Sequence, residues 1–262
     1  MFFRKDQLQV LKELLATDLY ILKGTVRDQI INLCIWMISM TVVNSYLMPA
    51  FGLSLEYSAF ILAGLCASAG LFGVFPSVAN LVSDFKGDQV YTYYLTLPLP
   101  SWMIFLRLIF YYSLNFSLLG ILVLPLGQLL IWDRFSLRHV AFGKFFLIFA
   151  LSYFFYGAFT LWIASRVPDM TKIGNVWMRF VYPIWFLGCF QFSWAVLRGK
   201  SQFFGLINLI NPITYIMEGM RAAVLGQDGY LNFWTCCFMI GLFGILCSWR
   251  AIVLLKKRLD FV

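Results

Sequence analysis

Glu218 and Arg221 stand three residues apart in NPITYIMEGMRAAVLG, residues 211–226, an otherwise largely apolar stretch. On a helix that spacing puts them on one face, where a carboxylate and a guanidinium can pair. Unpaired at the centre of a membrane helix, each charge costs roughly 2.5–3.5 kcal/mol. With Asn211 and Pro212 opening the stretch, a re-entrant or interfacial hairpin over 205–226 is cheaper than a span. The pair then either pins that hairpin or lies exposed at the interface, where it is worth about 0–1 kcal/mol.

Other candidate chemistry is incomplete. Gly199, Lys200 and Ser201 match the end of a GxxxxGK[ST] phosphate loop, but Trp194 replaces its first glycine. Without the full backbone cradle a nucleotide is not held, so this chain is not expected to hydrolyse ATP. The single histidine, His139, sits beside Arg138 with only Asp133 near it in sequence, and reads as an interfacial polar residue in preference to a general base. The six cysteines fall in apolar segments without metal-binding or redox spacing. No metal or cofactor is expected on this chain.

The segment SDFKGDQVYTYYLTLPLPSW, starting at Ser83, is the second unusual one. Ser83 and Asp84 can end a helix, whereas Pro98 and Pro100 block one and permit a new start at Ser101. Between them Val90, Tyr91, Tyr93, Tyr94, Leu95 and Leu97 make an amphipathic element too apolar for a free loop. It either rests on the membrane or is a knob for a cytoplasmic partner.

The elements that must position these residues are membrane helices. With 61% hydrophobic residues, 12% charged and a mean hydropathy of +0.82, the chain is far from the roughly 25% charge of soluble domains. An all-α fold with six spans is expected, near 30–50, 57–82, 102–131, 140–165, 176–197 and 231–255, the third, too long for one straight helix, either tilting or bending near Pro125. Leu8, Leu11, Leu15, Leu19 and Leu22 recur at helical spacing ahead of the first span, with Lys5, Lys12 and Lys23 able to snorkel. That predicts an interfacial helix over 1–28, followed by one membrane domain over 29–262. Asp18 sits beside this apolar stripe and fits it poorly. Ala63 with Ala67, then Ala69, Gly73 and Ser77, form a small-residue packing face on the second span. No cleavable leader pattern is seen, and the N-terminus reads as mature. Placing the N-terminus inside puts fourteen of the 20 Lys and Arg on the cytoplasmic side, so both termini are expected to be cytoplasmic.

Taken together, the amphipathic N-terminal helix, six spans, the LPLPSW loop and the NPITYIMEGMRAAVLG hairpin resemble the ABC-2-type permeases, the membrane subunits of bacterial ABC exporters. The resemblance covers essentially the whole chain. It implies a second permease copy, usually identical, and two separate ATPase subunits that carry ATP and Mg, in the bacterial inner membrane with its lipids and without nucleic acid. It implies that Asp84, Lys86, Asp88, Tyr91, Tyr94 and Leu95, within 83–101, couple to the ATPase. Asn211, Pro212, Glu218 and Arg221 would belong to a gating hairpin. Tyr182, Trp185, Phe186, Phe190, Phe192 and Trp194 would border the path of an amphipathic substrate, a lipid, glycolipid, glycan or drug; the alternative for such an aromatic cluster is helix packing. Two other classes remain. An ATP-independent carrier or channel would show a midplane carboxylate if ion-coupled, and an intramembrane lipid-modifying enzyme would show convergent acid and base groups. Neither signature occurs in the central parts of the spans, and an ATPase gene next to this one would favour the exporter.

Overall fold

A computed structural model describes residues 5–85 and 87–259, which are helical with no strand among them; Lys86, expected in the coupling loop, lies outside the described residues. Five helices are long and apolar enough to cross a membrane. They are α1 (Lys5–Thr41), α2 (Tyr57–Asp84), α4 (Ser101–Leu130), α5 (Phe142–Arg166) and α11 (Phe233–Leu259). Shorter helices are α3 (Val90–Leu95), α6 (Ile173–Val176), α7 (Tyr182–Leu187), α8 (Trp194–Lys200), α9 (Gln202–Asn208) and α10 (Pro212–Val224).

The expected interfacial helix and first span form one uninterrupted α1. Only Gly24 weakens the helix between them, and no proline breaks it. A π-helical turn at Val42–Leu47 and a 3-10 turn at Met48–Phe51 continue it, until left-handed Gly52 (φ 92°) ends it. α1 is strapped to α4 at both ends. Near its start Asp18 accepts two hydrogen bonds from Arg107, and near its end Tyr46 donates to the Leu130 carbonyl (2.8 Å) while Arg134 donates to the Ser45 carbonyl.

α5 is the centre of the bundle, packed on α2, α4, α10 and α11. Ala63, Ala67 and Ala69 of the small-residue face of α2 are buried, and Gly73 on the same face meets the Phe116 ring of α4. Tyr153 and Tyr156 of α5 donate to the Cys66 and Ala67 carbonyls of α2 at 3.0 and 2.8 Å. Two phenols are thereby buried in the bundle with their hydroxyls satisfied, as a dry interior requires. α4 runs five residues past Pro125, so the proline does not end the helix.

The fifth expected span, 176–197, is not a single helix. Short turns and helices carry the chain from Met170 to Leu187; Gly188 ends α7, Cys189 is left-handed (φ 65°), and Ser193 caps the separate α8. Phe190, Phe192 and Trp194 prolong the apolar run in sequence, but a run of apolar residues does not by itself require continuous helix.

Close packing at Gly70 gives a direct test. A Cβ there would lie 2.5 Å from the Tyr156 ring and 2.7 Å from that of Tyr153, whereas at Gly241 nothing lies within 4 Å. Gly70→Ala should destabilise the protein by about 1–3 kcal/mol through overpacking, and Gly241→Ala should not; unfolding midpoints of the detergent-solubilised proteins check both.

Candidate functional site

Glu218 and Arg221 occupy the buried side of α10, each fully inaccessible, with Nη1 to Oε1 at 3.5 Å. The exposed alternative is therefore excluded. Their stronger contacts are to backbone. Arg221 donates from Nη1 to the Cys189 carbonyl (2.6 Å) and the Phe192 carbonyl (3.3 Å), and from Nη2 to the Phe190 carbonyl (2.6 Å). Its guanidinium lies 3.6 Å from the Phe60 ring centroid, a desolvated cation–π contact. Glu218 accepts from the amide of Trp194 (3.0 Å), where α8 begins, and from that of Leu231 (3.1 Å), just before α11. The charges thus hold the non-helical turn at 188–193 and two flanking elements.

Asn208 and Asn211 do the same for the end of α7. Asn208 donates to the Leu187 carbonyl (2.5 Å) and Asn211 to the Ile184 carbonyl (2.7 Å). Asn211 also caps α10 by accepting from the Ile213 amide at 3.0 Å, with Pro212 at the first helical turn, where its missing N–H costs nothing. Asn208 and its partner Thr214, which donates to the Asn208 carbonyl (3.0 Å), are residues that the sequence reading passed over.

The second constellation is the elbow formed by α1, α3 and α4. Asp84 caps α3, accepting from the Val90 and Tyr91 amides at 3.0 and 3.1 Å. Tyr91 meets the Tyr112 hydroxyl at 3.2 Å; burial holds its phenol above the ordinary value, so it stays protonated as a hydrogen-bonding group. Tyr94 lies beneath Arg107, 4.6 Å from guanidinium to ring centroid, and Leu95 packs with Leu99 and Met103 against Val10, Leu11 and Leu14 of α1. Arg107 closes the elbow with a two-pronged bond to Asp18, Nε to Oδ2 at 2.7 Å and Nη2 to Oδ1 at 2.5 Å. Asp18, the residue that fitted its helix poorly, is paired with an arginine 89 positions away, and the misfit in the apolar stripe was its signal in the sequence. Tyr91, Tyr94 and Leu95 are thus turned inward. Tyr93, 63% exposed, is the outward residue of α3, with Asp88 exposed beside it.

The aromatic set of 182–194 is divided. Tyr182 and Phe186 stack at 6.0 Å on the exposed side, whereas Trp185 and Phe190 pack at 4.7 Å in the interior. Trp194 donates to the Gly205 carbonyl at 2.8 Å, tying α8 to α9. Phe192 lines an apolar cavity of about 610 Å³ with Phe159, Trp162 and Phe204. The six residues do not share one surface.

A helical bundle with five membrane-length helices among the described residues, a docked loop helix and the charge-anchored α10 defines a multi-pass membrane protein. The family model for the ABC-2 type transporter matches residues 19–225, and the chain belongs to that family, the membrane permease component of ABC transporters. The chain has no match among curated proteins.

Removing either charge of the α10 pair leaves buried backbone groups and its partner unsatisfied. Glu218→Gln and Arg221→Met should each destabilise the fold, the arginine change by about 3–5 kcal/mol. Because the two side chains hold different backbone groups, the double variant should be worse than either single one, with coupling limited to their direct contact. A double-mutant cycle on unfolding midpoints tests this; unchanged midpoints in the single variants would refute the anchoring role.

Proposed function

We propose that this chain is the permease of an ATP-driven exporter, moving an amphipathic lipid, glycolipid, glycan or drug across the bacterial inner membrane. It works as a pair of permeases, identical copies in the simplest form, with two ATPase subunits supplying ATP and Mg. The observation that carries this reading is the elbow. α3 is fixed from within by Asp84, Tyr112 and Arg107 and presents Tyr93 outward. A rigid apolar knob of this kind suits a cleft in a cytoplasmic motor, and the incomplete phosphate loop leaves hydrolysis to that partner. The basic bias of the α3 side supports reading both termini as cytoplasmic.

On the same reading, residues 205–226 form a re-entrant hairpin on the outer side. The backbone anchors of Glu218, Arg221, Asn208 and Asn211 support it, because irregular backbone at membrane depth is tolerated where protein satisfies it. Gate residues would then be Asn211, Pro212, Glu218 and Arg221.

Three measurements test this. The purified chain alone should show no ATP turnover. Tyr93→Asp should abolish most ATPase co-purification while leaving the unfolding midpoint unchanged, whereas Tyr94→Asp should lower the midpoint first, because it breaks the Arg107 contact; full ATPase recovery with Tyr93→Asp would remove α3 as the joint. Cysteines placed singly at Ser201 and Asp228, in a background lacking the six native ones, should both react with an impermeant maleimide from the periplasmic face, and labelling from opposite faces would make the hairpin a span.

A further inference from the structure

Between its straps to α4, α1 buries Leu33 and Met37 in the core and leaves a cavity of about 460 Å³ among α1, α2 and α4. Its walls carry the amides of Gln29, Asn32, Asn80 and Asn115, with the hydroxyls of Ser77 and Tyr111. Two of these amides are unsatisfied. Asn115 Oδ1 and Gln29 Oε1 have no hydrogen-bond partner, and Asn115 is only 9% exposed. A bare amide oxygen at membrane depth is costly and calls for a donor from a bound molecule.

The chemistry of that molecule follows from what the wall offers. Among the described residues no charged side chain lines the cavity. Arg107 faces the adjoining space, where its Nε and Nη2 bind Asp18 and only Nη1 is left without a partner. A phosphate or carboxylate would find no cation, and it cannot donate to the free amide oxygens. Hydroxyl groups both donate and accept, matching amides and phenols on every side. The aromatic wall, Trp36 against Phe72 at 5.0 Å, provides flat faces for the C–H surface of a ring. Towards the α3 end the cavity shares Asn80, Tyr91 and Tyr111 with a second space that reaches Asp84 and Asp88. Ile31 and Ile35 of α1, on turns beside the cavity, are exposed, so an acyl chain can lie along the outside of the same helix.

We propose that this cavity within a single subunit binds the neutral, hydroxyl-rich headgroup of a lipid, a sugar or similar polyol. The proposal deepens the permease reading by naming a substrate class and a loading site, and it rests on that reading for its role in transport. Phe72 also meets Trp185 at 5.2 Å, which joins the cavity to the aromatic residues of α7.

The test uses the full chain in a polyoxyethylene detergent, which carries no sugar to compete. Binding of monoglucosyl diacylglycerol, phosphatidic acid with the same acyl chains, and methyl glucoside is measured by native mass spectrometry and by the shift in unfolding midpoint. The glucolipid should bind at one per chain and phosphatidic acid at least tenfold more weakly. Binding of methyl glucoside as tight as that of the glucolipid assigns the site to free sugar, and weaker binding assigns it to the lipid. Asn115→Leu should weaken glucolipid binding by about tenfold, as loss of one or two hydrogen bonds does. Asn32→Leu, on the exposed side of α1, should weaken it several-fold without disturbing the fold, and Trp249→Ala on α11 should have no effect. Equal binding of phosphatidic acid, unchanged binding by both leucine variants, or no glucolipid binding would overturn the proposal. No ATPase is present in this measurement, so its failure is separate from failure of the permease reading, which ATPase co-purification decides.

Discussion

A helix that stops inside an apolar segment exposes carbonyls and amides that lipid cannot satisfy. The structure around residues 188–193 is organised by that constraint. The end of α7 and the following turn present the carbonyls of Ile184, Leu187, Cys189, Phe190 and Phe192, and each receives a side-chain donor from Asn208, Asn211 or Arg221. Glu218 completes the arrangement from the opposite sign, accepting two amides and lying beside Arg221. An ion pair alone would repay the desolvation of two buried charges poorly. Here the charges repay it by closing backbone groups that otherwise have no partner. Gly64 on α2 leaves room for this: Arg221 Nη2 lies 3.3 Å from where its Cβ would be.

The same logic at the other end of the bundle makes the elbow stiff. A single arginine, Arg107, binds the Asp18 carboxylate, the Leu14 carbonyl and the Tyr94 ring, joining α1, α4 and α3. Force applied to the outer face of α3 therefore passes into both α1 and α4. The Asp84 cap and the Tyr91–Tyr112 contact stop α3 from turning about its own axis instead. On the permease reading, α1 is then the lever. It is one of the two sparsely buried long helices, 28% buried over its apolar window against 72% for α2, and its polar straps run to α4 and the loop after it.

Much of this was legible in the sequence because it depends on local rules. The cap and first turn at Asn211 and Pro212, the start of α4 after Pro100, the amphipathic α3 and the small-residue face of α2 follow from residue types at fixed spacings. The misreadings come from properties that spacing does not carry. Span counting took Phe190 and Phe192 for helix, although Gly188 and Ser193 bracket a turn. Interfacial and spanning parts of α1 were separated by composition, while the backbone has no reason to break there. Which residues of α3 rest on the bundle, Tyr91, Tyr94 and Leu95, and which are exposed, Val90 and Tyr93, depends on contacts with α1 and α4 that lie far off in sequence. Asp18 and Arg107 are 89 residues apart, and only tertiary structure brings them together.

Hydrogen-bond accounting also separates polar groups that build this protein from those free to meet another molecule. Glu218, Arg221, Asn208 and Asn211, the residues that look most chemical in sequence, are largely consumed by backbone and by each other. Arg107 and Asp18 are bound to each other in the elbow, with Arg107 Nη1 left over. The amides of Gln29 and Asn115 retain unpaired oxygens, and both face the same cavity. In water such an excess would be unremarkable, since solvent satisfies it. Beside hydrocarbon it is expensive, and a fold that goes to such lengths to satisfy the turn at 188–193 has left two acceptors open in a space large enough for a small ring. Recognition chemistry in this bundle therefore lies with its uncharged amides, while its buried charges serve as framework.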